Sequence, residues 1–411
     1  MRYILAVACC VTLTAGDLSQ LRELEAKHRM FELRDLLDQP DGSAPEALVY
    51  RAIAASRFGR EHEAVGQLRA FLATNPVPEM ERKAREELSG ALMRLGEYGD
   101  AAKELAAALR LTAGGEAGRA EGENVRTLLE SLRDVAPQTA EFGPPAPVQA
   151  RRNELGLWVV PVEINSQRGE WILDTGANLS TVSESEARRI GIAIREVHAY
   201  ARGSTPARNS TRLAVAGEVR FGSARLHNVV LLVMADQALF ISPLKHQIHG
   251  ILGLPALRAL GCVELSARGT VTLDSSAEQP QGPPNVFFDG LNPVVQVLHS
   301  GHSLQMMLDT GKTPTILHRS IRDVLAQWER DQLTNTQVAS VSGAGGSAQF
   351  QATLVPSIQF DVRGRTIYLQ RISLLSETPA GNAGYWDGIL GIDALAGGFR
   401  LDFRAMQFTL K

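Results

Sequence analysis

Ile172-Leu173-Asp174-Thr175-Gly176-Ala177 decides the fold of this chain, because a second copy, Met307-Leu308-Asp309-Thr310-Gly311-Lys312, follows it at an offset of 309 − 174 = 135. A given Asp-Thr-Gly triplet arises by chance roughly once in several thousand positions. One copy in 411 residues would therefore say little, whereas two copies, each after an apolar run, point to a working pair of carboxylates.

Outward from each aspartate the match continues. Gly250-Ile251-Leu252-Gly253 and Gly388-Ile389-Leu390-Gly391 are offset by 388 − 250 = 138, and each runs on to an Ala-Leu pair. Further on, Gly261 to Leu273 and Gly398 to Leu410 both alternate like strands and end in Thr-Leu. The second half of the chain is thus an internal duplication of about 130 residues. Within each copy, β-branched runs such as Leu157 to Ile164 and Val294 to Leu298 predict strands. One short helix per copy is expected, at Ser183 to Ile190 and at His318 to Gln327.

Paired aspartates have a specific chemistry. A lone Asp with a pKa near ~4 is a poor base at neutral pH, but two carboxylates held within about 3 Å cannot both ionise and share one proton. One member can then take a proton from a water while the other protonates the oxygen of the peptide carbonyl that the water attacks. Glycine tolerates the tight backbone path such a loop needs, and threonine can brace the loop by bonding backbone across to the other copy.

On these motifs, residues 150 to 411 resemble the two lobes of an aspartic protease of the pepsin and retropepsin type. The family pattern is apolar-apolar-Asp-Thr-Gly-(Ser/Thr/Ala), followed by an apolar-apolar-Gly strand, here Ile251-Leu252-Gly253 and Ile389-Leu390-Gly391. The resemblance implies an all-β bilobal acid-protease fold and an aspartic-type endopeptidase, a hydrolase acting on polypeptides. It implies Asp174 and Asp309 as the catalytic dyad, with Thr175, Gly176, Thr310 and Gly311 in the supporting loops. Family members also close a hairpin flap over substrate, expected here at Tyr200 to Ser204, including Gly203, and at Ser342 to Gly346, including Gly343 and Gly345. Lys312 departs from the pattern and is expected to point to solvent, with Thr313 able to supply the missing hydroxyl. Ala177 has no hydroxyl to offer Asp174, which is expected to raise the upper apparent pKa of the pair and move activity toward mild acidity or neutrality.

The amino-terminal half differs in character. Residues 1 to 16 combine Arg2 with an apolar stretch and small residues, resembling a signal peptide. Its apolar part is too short for a comfortable membrane span, and a lipid anchor at Cys9, after Ala6-Val7-Ala8, is not favoured. From Leu18 to about Ala136 the periodicity is helical. Phe58-Gly59 with Ala64, and Leu95-Gly96 with Ala101, carry spacings that resemble the tetratricopeptide repeat. Units are expected at 44 to 76 and 81 to 113, flanked by helices near 18 to 39 and 122 to 135, with a polar loop at Gly114 to Gly122. Glu61, His62 and Glu63 fall in a repeat turn and are expected to face solvent.

The expected organisation is therefore a multi-domain chain: signal peptide 1–16, all-α TPR-like helical repeat 17–136, Pro-rich linker 137–150, first lobe 151–274, interlobe linker 275–284 and second lobe 285–411. A net charge of −3 and nine scattered histidines suggest neither a nucleic-acid surface nor a metal site, and no cofactor is expected. Once Cys9 and Cys10 leave with the signal segment, Cys262 stands alone and is expected in a buried strand, without a disulfide. Export to a bacterial periplasm or the extracellular space follows, with a polypeptide substrate and a protein partner on the helical half. Two rivals share these observations: a catalytically inactive protease-fold scaffold working through its helices, and an enzyme that pairs like lobes between two chains. Tethering through 275 to 284 favours pairing within one chain.

Overall fold

The computed structural model describes residues 15–38, 45–111, 116–201, 209–273, 282–343, 346–377 and 384–411. Residues 1 to 14 of the expected signal peptide, most of the 275–284 segment, and the flap positions Gly203 and Gly345 lie outside the described residues.

Seven helices come first: α1 (Ala15–Ala26), α2 (Met30–Leu37), α3 (Pro45–Arg57), α4 (Glu61–Leu72), α5 (Pro78–Leu95), α6 (Tyr98–Leu111) and α7 (Glu116–Ser131). Proline in the first turn of α5 and a left-handed Gly96 at its end are the stop and start chemistry that helices favour. Gly59 turns α3 into α4 with φ +76°. Ala64 and Ala101 are fully buried, so α4 and α6 lie close against their neighbours. The polar loop expected at Gly114 to Gly122 is instead helical from Glu116 onward. The helix formers Glu, Ala and Arg outweigh two glycines there, and the bare Gly122 lets α7 approach Leu109 of α6 closely.

Two β sheets of matching topology follow. In the first, the order runs Trp158–Ile164, Gln167–Leu173, Gly250–Leu252, Ser180–Ser183, Ala224–Met234, Asn209–Phe221, Ile194–Ala201, and Glu163 paired with Arg220 closes it. In the second, the corresponding order runs Asn292–His299, His302–Leu308, Gly388–Leu390, Ile316–Leu317, Arg365–Leu375, Gly346–Val362, Thr334–Gly343, closed by Leu298 opposite Asp361. The duplication seen in the motifs therefore extends to every main strand. Glu184–Arg189 is the short helix of the first copy, capped by the Ser183 hydroxyl. Its counterpart, expected at His318 to Gln327, breaks into Ile321–Val324 and Gln327–Asp331, because Leu325 turns extended and Glu329 caps a new start at the Ala326 amide.

A third sheet is built jointly. Its order is Val148–Gln149, Thr270–Leu273, Cys262–Ser266, Gly398–Asp402, Gln407–Leu410, with Val263 opposite Leu401 at the junction of the copies. Cys262 is buried there. The 137–150 stretch is no free tether, since Thr139–Phe142 pairs with Ala224–Met234 and Val148–Gln149 enters this third sheet.

The helices share a hydrophobic core with the second copy. Phe287, Val294, Met307 and Trp386 pack with Phe31, Phe58 and the α3–α5 interior, and Phe31 meets Phe287 edge to face at 5.1 Å. Buried charges extend the contact in both directions. Glu61, expected in solvent, is only 3 % exposed and lies between Arg94 (3.3 Å) and Arg258 (2.7 Å), the latter in the helix Leu254–Ala259 of the first copy. Arg94 also faces Glu87, which pairs with Arg57, which reaches Asp289 of the second copy at 3.3 Å. A glutamate at the first turn of a helix looks like surface until two arginines close over it. His62 and Glu63 are exposed as expected. Among the described residues no helix is long and apolar enough to cross a membrane.

Candidate active site

Each aspartate is placed by the motif eighty residues downstream. Gly250–Leu252 runs parallel to Gln167–Leu173 with Leu252 opposite Leu173, and the Asp174 amide donates to Leu252 O at 3.1 Å. Likewise Leu390 lies opposite Leu308, and the Asp309 amide donates to Leu390 O at 3.0 Å. Glycine is required in that strand, since a side chain at Gly250 would collide with the Trp171 ring and one at Gly388 with Met306.

Four hydrogen bonds then lock the two loops together. The Thr175 amide donates to Thr310 Oγ1 (3.0 Å), and the Thr310 amide donates to Thr175 Oγ1 (3.1 Å). In turn the Thr175 hydroxyl donates to Leu308 O (2.7 Å) and the Thr310 hydroxyl to Leu173 O (2.8 Å). Both threonines are buried. Thr310→Val, which keeps the shape and deletes the hydroxyl, is expected to cost about 1–3 kcal/mol because it leaves a buried amide and a buried carbonyl unpaired. Denaturant unfolding with an unchanged slope checks this.

The locked loops bring the carboxylates together. Gly176 N–H donates to Asp174 Oδ1 at 2.8 Å and Gly311 N–H to Asp309 Oδ1 at 2.9 Å. A Cβ on Gly176 would overlap the Asp309 carboxyl, and one on Gly311 the Asp174 carboxyl, so each acid rests on the other loop's glycine. Each carboxyl is thereby brought against the loop of the other, close enough for Asp309 to act on Asp174. Burial and then the charge of Asp309 hold Asp174 well above the usual carboxylate range, against the pull of the Gly176 and Ala177 amides. Burial raises Asp309 as well, but the charge of Lys312 opposes it. One proton shared by two unequal carboxyls is the state that lets one act as base and the other as acid.

Three expectations around the site need correction or placement. Lys312 does not reach solvent: it is 8 % exposed and buried beside Asp309 and Asp393. Thr313 is exposed and leaves the structural hydroxyl to Thr315, which accepts from the Gly391 amide at 3.0 Å. Ser180 does the same for Gly253 at 3.0 Å in the first copy. These two were missed, although 315 − 180 = 135 repeats the offset of the aspartates. Tyr200, expected in a flap, is fastened to α7: its amide donates to Asn124 Oδ1 (2.8 Å), Asn124 Nδ2 donates to its carbonyl (2.9 Å), and its hydroxyl donates to Glu121 (3.0 Å). Gly343 ends the strand Thr334–Gly343, paired with Gly346. Among the described residues no group of three or more His, Cys, Asp or Glu could hold a metal ion.

Residues 160–256 match the family model of aspartyl proteases. That stretch holds Asp174 and the Gly250–Gly253 motif, and it supports an aspartic protease. Among solved structures, the chain is similar to a retropepsin-like aspartic protease from Rickettsia conorii, at 15 % identity and a TM-score of 0.24, covering 33 % of this chain and 93 % of that one. No curated protein matches the chain.

Proposed function

We propose that the protein is a single-chain aspartic endopeptidase in which a water between Asp174 and Asp309 attacks a peptide carbonyl. The observation that carries this is the mutual seating of the two carboxyls on opposite glycines, braced by the threonine cross-bonds. In the attack, the ionised carboxylate takes the water's proton and the protonated one gives its proton to the carbonyl oxygen. Collapse of the tetrahedral species then moves a proton to the leaving nitrogen, without a covalent intermediate. The helical half keeps the docking role for a substrate or partner, and its inner face is already committed to the two β copies. Export to the periplasm or the outside belongs to the same proposal and draws on the sequence of residues 1 to 16.

A second possibility, a protease fold without turnover, draws on the buried Lys312, since a cation beside the pair favours ionised carboxylates and works against proton sharing. Proteome-wide cleavage profiling of wild type against Asp174→Asn separates the two. New peptide termini that appear with wild type and vanish with the variant are expected. Identical profiles would leave only the scaffold.

A further inference from the structure

Three residues after each catalytic aspartate the first copy has Ala177 and the second Lys312, and two residues after each Gly-Ile-Leu-Gly the first has Pro255 and the second Asp393. The backbone frames at these positions coincide. Leu254 N–H donates to Ala177 O at 2.9 Å, and Ile392 N–H donates to Lys312 O at 2.8 Å. The second copy therefore carries a cation and an anion together, in a frame that holds two uncharged residues in the first.

Lysine is almost never buried as deeply as Lys312 unless anions face it. The Lys312 amide donates to Asp309 O at 3.3 Å, and a Cβ on Gly391 would meet both Lys312 O and Asp393 Oδ1, so the lysine's turn lies between the two acids, whose charges both act on its amine. Asp393 is held in place, since its Oδ1 accepts from the Thr315 amide (2.9 Å) and the Thr315 hydroxyl (2.8 Å). The same hydroxyl holds the Gly391 amide at the end of the strand beside Asp309. At the corresponding place beside Asp174 stand only Ala177 and Pro255.

We propose that Lys312 is a positioning residue that fixes the negative charge of the pair on Asp309, making Asp309 the base toward water and Asp174 the acid, while Asp393 keeps the lysine in place. A symmetric pair has no preferred base, and a cation beside one member removes the degeneracy. The directions agree: Lys312 opposes the rise of Asp309, whereas Asp174 stands well above the usual range. Burial lowers the Lys312 amine, and both carboxylates counter it. The catalytic meaning of this assignment rests on the aspartic-protease proposal, while the placement of the charge does not.

The test is a ¹³C carboxyl titration by NMR of the full chain, with the pair's signals assigned from Asp174→Asn and Asp309→Asn. In wild type, Asp309 is expected to ionise first. Lys312→Met is expected to move that ionisation up by roughly one pH unit or more, and Lys312→Arg to restore it. A methionine variant that titrates like wild type overturns the proposal. So does a wild-type chain in which Asp174 ionises first, which decides the matter even if the methionine variant does not fold. In peptide cleavage the acid limb of the kcat/KM profile should move up with the titration. Absence of cleavage by wild type would sink the protease proposal and leave the titration to judge this one.

Discussion

Asp309→Asn is expected to lower kcat for peptide cleavage roughly ten-thousand-fold or more, as is Asp174→Asn. Asparagine keeps an acceptor for the Gly311 amide and leaves the threonine cross-bonds untouched, so the loss would be chemical. An amide can neither take a proton from water nor share one with its neighbour, and the remaining aspartate alone returns to being a weak base. Pepstatin-sensitive cleavage of a peptide library under single-turnover conditions measures it. Near wild-type turnover in Asp309→Asn would instead mean that two first copies pair between chains.

Glu61→Ala is expected to destabilise the chain by about 3–5 kcal/mol, the usual cost of removing one partner from a buried ion pair. The carboxylate lies between Arg94 and Arg258, and without it two guanidinium groups stay buried beside each other. The stability of the wild-type chain should also depend on pH through other carboxylates of this buried network. Burial works against the charges of Glu87 and Asp289, yet Arg57 and Arg94 around the first, and His28 and Arg57 around the second, bring both below the ordinary carboxylate value. Groups depressed in this way contribute stability above their unfolded pKa and lose it as pH falls through the folded one. Wild-type stability should accordingly decline on acidification below the ordinary carboxylate range. Urea unfolding of Glu61→Ala, with the exposed Glu63→Ala expected within about 0.5 kcal/mol of wild type as control, checks the claim. Equal loss in both variants would refute it.

These expectations differ in how far the sequence could supply them. The aspartates and their companion strands were legible because each lies in a short contiguous word that occurs twice, whereas the parallel register of Leu173 with Leu252 and Leu308 with Leu390 came with the structure. The helical character of the first half followed from periodicity, although the start of α7 did not. Side-chain direction at single charged residues did not. Lys312 is buried where the charges of Asp309, in its own loop, and of Asp393, 393 − 312 = 81 residues away, both act on it, and Glu61 is buried against Arg258, which arrives from another part of the chain. Charge partners so distant leave no local period to detect. The bonds of Tyr200 to Asn124 were beyond reach for a similar reason, since Asn124 belongs to a helix whose first turns looked like a loop.

The cross-bonded threonines also bear on how the molecule fails. Each loop completes its hydrogen bonding only with the other's hydroxyl, so the copies cannot part slightly and leave one half competent. Loss of cohesion and loss of catalytic capacity are then a single cooperative event. On heating, the inactivation curve and the unfolding curve of the β copies would superpose, with no half-working species between them.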